Sequence, residues 1–356
     1  LLNASSALLP DQAEQVGGWL TRLARAFAGE DGTGVGQPSV EELLLGGPRR
    51  YTRAELIAES SVDRELVVRL WRSMGFADVD DDEVFFTEGD REALERFERL
   101  RAEGVLPTRT QESIARAVGQ AMVGLADWQV EVLAELVCAG MADVNEDQAP
   151  ATAARILPLI EQMQNYVWRR HLAALAGRLL PPLGEHSETR ELVVGFADMV
   201  EFTRITRRIS PSELTDLIDR FQAVTAEVVT GRHGRVVKHV GDEVMYTAEQ
   251  PQTGADIAIE LMERIAAVDG LPKLRIGIAA GPIVSRFGDV YGEAVNVAAR
   301  LTAHGKPGRI LVDRGVAEAL GANDGYRLKG RRLLKVHGYR RLQAWRLIRA
   351  APRADG

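Results

Sequence analysis

The chain has 356 residues, 46% of them hydrophobic and 27% charged, with a formal net charge of −7. That composition is ordinary for a globular chain with a real core, and the length suggests two domains. The negative balance argues against broad nucleic-acid binding, and a single cysteine, Cys138, excludes an internal disulfide and a cysteine metal cluster.

Cys138 lies in the apolar run VLAELVCAGM and reads as a small core residue rather than a nucleophile. No stretch approaches the roughly 18–20 apolar residues that span a bilayer, and no signal peptide is legible. The first residue is Leu1 rather than Met, which leaves the natural start open. A reducing, cytoplasmic setting is expected, with peripheral membrane contact left open.

Residues 1–150 read as helical. A helix over Asp11–Phe27 precedes breaks at Gly34–Pro38 and Leu45–Arg50. Apolar residues from Leu56 to Met74 recur near helical spacing, and Ser60–Ser61 divides them into two short helices. Val84–Thr87 is a short strand or wing, and GDREALERFERL starts another helix. This layout resembles the winged helix-turn-helix of MerR-type regulators, whose second helix reads DNA. Here that helix is followed by Asp78, Asp80, Asp81, Asp82 and Glu83, which repel phosphate. A packing module is expected, and no nucleic-acid partner.

Helix continues through Thr110–Ala142, and Asp143–Pro150 is a polar break. Residues 151–190 form a switch helix and linker. The helix spans Thr152–Leu180 with Ile156, Leu159, Met163, Val167, Leu172 and Leu175 on its apolar side. Pro158 falls early enough to be tolerated or to kink it, and Pro181–Pro182 ends it. Leu183–Arg190 is the linker.

From Glu191 strands and helices alternate. The strand Leu192–Ala197 leads to a helix over 211–229, capped by Ser210, Pro211 and Glu213. A hairpin follows over 234–247, with His239–Gly241 carrying the bend and Lys238 and Asp242 at the tip. A helix over 254–268 and the strand Leu274–Gly281 complete a βαββαβ, ferredoxin-like order. A helix over Glu293–His304, a strand Arg309–Val312 and a closing strand pair within Tyr326–Leu347 come last. The fold class is α+β: an all-α domain followed by a ferredoxin-like domain over 191–348.

Asp198 stands where the first strand runs into a turn, and Asp242 follows the hairpin glycine. Two acids at the ends of neighbouring strands can share a divalent metal. Asn296 and Arg300 lie four apart, on one face of their helix.

FADMVEFT, SPSELTDLIDRF, VVKHVGDEVM, FGDVYGEAVNVAARL and LKVHGYRRLQAWRL occur in the order and spacing of the class III nucleotidyl cyclases, which this half resembles. The N-terminal half resembles, by its layout, the regulatory domain of mycobacterial soluble cyclases that are inhibited in cis and respond to pH and fatty acids. VGDEV lacks the paired glycines of a diguanylate cyclase, the rival enzyme with a related fold.

The resemblance implies an adenylate cyclase. Asp198 and Asp242, with the Met199 carbonyl, would hold two Mg²⁺ or Mn²⁺ ions per site. Backbone amides of the Val200–Thr203 turn, Phe202 and Thr203 among them, would cradle phosphates. Lys238 and Asp289 resemble the purine-selecting pair, Asn296 the ribose-orienting amide and Arg300 the arginine that stabilises charge at the α-phosphate. Lys335 resembles a late phosphate-binding lysine, with Lys329 as the competing assignment. ATP is the implied substrate. The sites would lie between two copies in a head-to-tail homodimer. Regulation by the N-terminal half is expected, with His171 and His186 as candidate pH sensors. A fatty acid or lipid ligand of that half is implied by the resemblance alone.

Overall fold

In the computed structural model the described residues are 40–138, 149–179, 189–321, 323–336 and 339–350. They fall into two compact units, one within 40–179 and the other within 189–350. The expected Asp11–Phe27 helix, His186 and most of the Leu183–Arg190 linker lie outside the described residues.

The first unit is helical. It comprises α1 (Val40–Leu45), α2 (Arg53–Ala58), α3 (Arg64–Ser73), α4 (Glu88–Ala102), α5 (Gln111–Cys138) and α6 (Ala149–Leu179). Thr52 with Glu55 and Thr87 with Asp90 form capping boxes that start α2 and α4, and Asp63 caps α3. The expected wing is one isolated bridge, Tyr51 to Phe86. The arginines around α3 are neutralised within the unit. Arg64 Nε bonds Asp81 at 3.0 Å, Arg72 bonds Asp78 at 2.6 Å and Arg69 bonds Glu112 at 2.9 Å.

Pro158 is accommodated inside α6. The apolar side expected of that helix is only partly covered. Leu159, Met163, Val167 and Leu172 are exposed, and Ile156 and Leu175 are half-buried. Periodicity identifies an apolar face, but it does not supply the surface that buries it. No described helix is long and apolar enough to cross a membrane.

The second unit carries one mixed sheet. Its strands are β1 (Arg190–Met199), β2 (Arg235–Val240), β3 (Glu243–Ala248), β4 (Leu274–Arg286), β5 (Asp289–Tyr291), β6 (Arg309–Val312), β7 (Tyr326–Val336) and β8 (Tyr339–Arg349). The order is β2-β3-β1-β4-β6-β8-β7, with β5 paired to β4. The β2-β3-β1-β4 part is the expected ferredoxin-like core, and the fold is α+β. Its helices are α7 (Phe202–Thr206), α8 (Pro211–Gly231), α9 (Pro251–Ala267), α10 (Glu293–His304) and α11 (Arg314–Leu320).

Both sheet faces are covered, which is why β1 reads as a continuous apolar run. Val193, Ala197 and Met199 face a cluster built with α8, α9 and α11. Val194 and Phe196 face a second cluster built with α10. Helix α10 approaches the sheet closely because β4 offers Gly277 beneath it. A Cβ there would lie 2.4 Å from the Ala298 carbonyl oxygen and from Thr302 N.

Candidate active site

Strand β1 ends on Asp198 and Met199, and β3 runs antiparallel beside it with Glu243 opposite Asp198. The β2–β3 turn consists of Gly241 and Asp242, and Gly241 takes φ +62°. A glycine in the first central position of a two-residue hairpin turn tolerates that conformation without strain. Met199 N donates to Asp242 O at 3.1 Å and ties the turn to the end of β1. Asp198 and Asp242 therefore stand on adjacent strand ends. The bend lies later than expected, since His239 and Val240 belong to β2. A bulge between Val236 and Lys238 hid the strand's alternation.

Asp198 is buried, at 8% exposed. Arg275, opposite it on β4, donates Nε to its Oδ2 at 2.5 Å. Burial raises the Asp198 carboxyl above the ordinary range; the Arg275 bond and charge oppose this, and the Asp242 charge adds to it. Glu243 is pushed up to about 7, first by burial and then by the charges of Asp198 and Asp242, against Arg275. Glu243 and Arg275 were not singled out in the sequence. The glutamate could have been, from its place beside Asp242. The arginine meets Asp198 only through the β1–β4 register.

This donor set fits a divalent cation. Carboxylate oxygens suit Mg²⁺ or Mn²⁺, and the acids here hold more negative charge than one arginine balances. Among the described residues no three His, Cys, Asp or Glu side chains form a closed cage. A two-carboxylate site leaves the other positions to substrate phosphates and water, which is how Mg²⁺ is usually held. The Met199 side chain is buried in the core, so it could serve only through its carbonyl.

A second group forms on β2 and β5. Lys238 Nζ donates to Asp289 Oδ2 at 2.5 Å, and Val290 N donates to Oδ1 at 2.8 Å. Burial alone would raise the Asp289 carboxyl; the Lys238 bond, the Val290 amide and the charges of Lys238 and Arg235 outweigh it, so the carboxyl lies below the ordinary range. Lys238 is placed within strand β2, opposite Met245, and not at the hairpin tip.

Asn296 and Arg300 sit on the exposed side of α10. Among the described residues neither makes a side-chain hydrogen bond or ion pair, and so neither joins the carboxylates or the Lys238–Asp289 pair. Phe202 and Thr203 open α7 after Glu201, which takes φ +64° without a glycine. Val200 N is spent on Lys273 O at 2.8 Å, so the turn's free amides begin after it. Lys335 lies on β7, with its side chain outside the described residues. Lys329 is exposed on β7, opposite Arg346. His171 is exposed on α6.

Residues 185–349 match the family model for the adenylate and guanylate cyclase catalytic domain. An adenylate cyclase of Streptomyces coelicolor is 40% identical over 289 residues, covering 79% of this chain and 74% of that protein. One from Glutamicibacter nicotianae is 36% identical over 328 residues, 87% of this chain and 81% of that protein. A Mycobacterium tuberculosis protein named pH-sensitive adenylate cyclase is 31% identical over 294 residues, 78% and 72% of the two chains. Stretches of that length extend well into the helical half.

Proposed function

The chain belongs to the adenylate and guanylate cyclase family, and from that premise we propose that it converts ATP to cyclic AMP and pyrophosphate. The observation that carries the choice of ATP is the Lys238–Asp289 pair at 2.5 Å. It holds one donor and one acceptor at a single point. Adenine offers an acceptor at its ring N1 and a donor at its exocyclic amine, which this pair complements; guanine offers the reverse.

Asp198 and Asp242, with the Met199 carbonyl, would hold two Mg²⁺ or Mn²⁺ ions, whose positive charge would stabilise the attacking and leaving oxygens when bound. The ribose 3′-oxygen forms a bond to the α-phosphorus, the bond to pyrophosphate breaks, and the hydroxyl proton passes to solvent water. Asn296 orients the ribose, and Arg300 stabilises charge at the α-phosphate. The Phe202 and Thr203 amides and Lys335 hold the outer phosphates.

The working unit is a homodimer. Among the described residues Asn296 and Arg300 have no side-chain partner, which supports a site completed by a second copy. One protomer brings Asp198 and Asp242; its partner brings Lys238, Asp289, Asn296 and Arg300. The helical half regulates by setting how the two catalytic units meet. The test is an assay of the purified chain with Mn²⁺ and either ATP or GTP. Cyclic AMP from ATP, with little product from GTP, is expected. Product from GTP alone would refute the purine reading, and none from either would refute catalysis.

A further inference from the structure

Charge is unevenly spread along the chain. The formal net charge is −7, yet residues 325–350 contain nine Lys or Arg and no Asp or Glu. This stretch forms β7 and β8, and β7 is one edge of the sheet.

The β7–β8 ladder sorts these cations by face. Leu334 lies opposite Leu342, and both belong to the cluster built with α10, as does Ala344. Side chains alternate along a strand, so Arg332, opposite Ala344, and Arg346, two residues on, share that face. Lys329 lies opposite Arg346, and Arg327 comes two residues before it. Arg327, Lys329 and Arg332 are exposed, and Arg346 is half-buried. Among the described residues none of the four makes a side-chain hydrogen bond or ion pair. On the other face, Arg349 is neutralised by Glu263 at 3.1 Å.

Like charges directly opposite each other weaken a ladder. Edge strands are often blunted by charge, which accounts for cations on β7. It does not account for Arg346, because β8 is an inner strand between β6 and β7. Nor does it account for a face that holds cations alone.

We propose that the β7–β8 edge docks on an anionic phospholipid surface. Arg327 to Arg332 covers roughly 15 Å of strand, more than one phosphate group spans. Leu333, exposed beside Arg332, brings an apolar side chain to the same edge, which suits the boundary between headgroups and acyl chains. Single-stranded nucleic acid would call for exposed aromatic rings, whereas Tyr326 and Trp345 pack against the core on the opposite face. A cluster of about four Lys or Arg is enough for reversible attraction to anionic headgroups, and salt screens it. Docking here needs no nucleotide, so it stands or falls apart from the catalytic reading.

The test is co-sedimentation of the full chain with vesicles of equimolar phosphatidylglycerol and phosphatidylcholine, or of phosphatidylcholine alone. Binding to the mixed vesicles, none to the neutral ones, and release in high salt are expected. Arg327→Gln with Arg332→Gln should weaken binding about thirtyfold, at roughly fivefold per cation. Lys329→Gln alone should weaken it about fivefold, which decides the matter if the double variant fails to fold. A single-stranded oligonucleotide at equal phosphate concentration should leave the bound protein in place. Its displacement by the oligonucleotide would assign the face to nucleic acid and overturn the proposal. A double variant that sediments as a smaller species without vesicles would assign the face to a second copy, with the same consequence. Equal binding to both vesicles, no binding to either, or wild-type binding by the folded variants would also overturn it.

Discussion

Arg275 donates its Nε to Asp198 Oδ2 at 2.5 Å, across the β1–β4 ladder. It thereby holds one oxygen of a buried carboxylate on which the proposed metal chemistry depends. Replacing it with methionine leaves that carboxylate without its neighbouring cation. Arg275 is 34% exposed, so the loss is smaller than for a fully buried pair. Arg275→Met should lower the stability of metal-free protein by about 1–2 kcal/mol. Added Mn²⁺ should recover part of this, because it supplies the missing positive charge. Thermal denaturation in chelator and in Mn²⁺ measures both effects.

The proposed division of site residues between two copies makes a quantitative prediction. Asp198→Ala and Arg300→Ala should each abolish cyclase activity. An equal mixture that exchanges subunits freely should contain about half heterodimers, each with one intact site, and recover about a quarter of wild-type activity. An inactive mixture, with exchange proven by differently tagged chains, would sink the shared site.

His239 contributes a pH dependence of stability. Its ring is partly buried on β2, and burial lowers its pKa. Thr225 Oγ donates to Gln222 O at 2.9 Å, so His239 Nε2 is the donor in the 3.2 Å contact with Thr225. The folded state binds a proton less readily than the unfolded chain, whose histidines titrate near pH ~6.5. The contribution is present above that pH and is lost as pH falls through the lower folded value. His239→Gln should flatten the decline in melting temperature between pH 7 and pH 5.5, read from melts across that range.

Much of the catalytic half was legible because its elements carry strong local signals. Ser210, Pro211 and Glu213 mark the start of α8, and the capping box forms there. Helix α10 and strand β6 have the expected limits, Glu293–His304 and Arg309–Val312. The two short helices, α7 and α11, span too few turns for a period to register. The site itself was legible only in part. Asp198 and Asp242 could be paired because each closes a strand next to a turn. The Arg275 bond joins residues 77 apart in the chain, and only strand order and register bring them together. In α6 the apolar stripe was legible, but its exposure in the single chain was not.

Gly277 connects packing to the proposed roles of Asn296 and Arg300. It lies on β4 under α10, and an added Cβ would sit 2.4 Å from Ala298 O and Thr302 N and 2.6 Å from Thr302 Oγ. Two of these are backbone atoms of α10, which cannot turn aside as a flexible side chain can. Gly277→Ala should push the helix outward and carry Asn296 and Arg300 with it. A stability loss of about 1–3 kcal/mol is expected from the overpacking. Positioning errors of about 1 Å at reacting groups cost around a hundredfold in rate, so the turnover number should fall further than stability alone explains. Gly281→Ala is the control, since its Cβ would meet only the Ala294 methyl at an ordinary 3.6 Å. Melting curves and steady-state kinetics on both variants separate the two glycines, and equal behaviour would show that close approach at Gly277 does not set the position of α10.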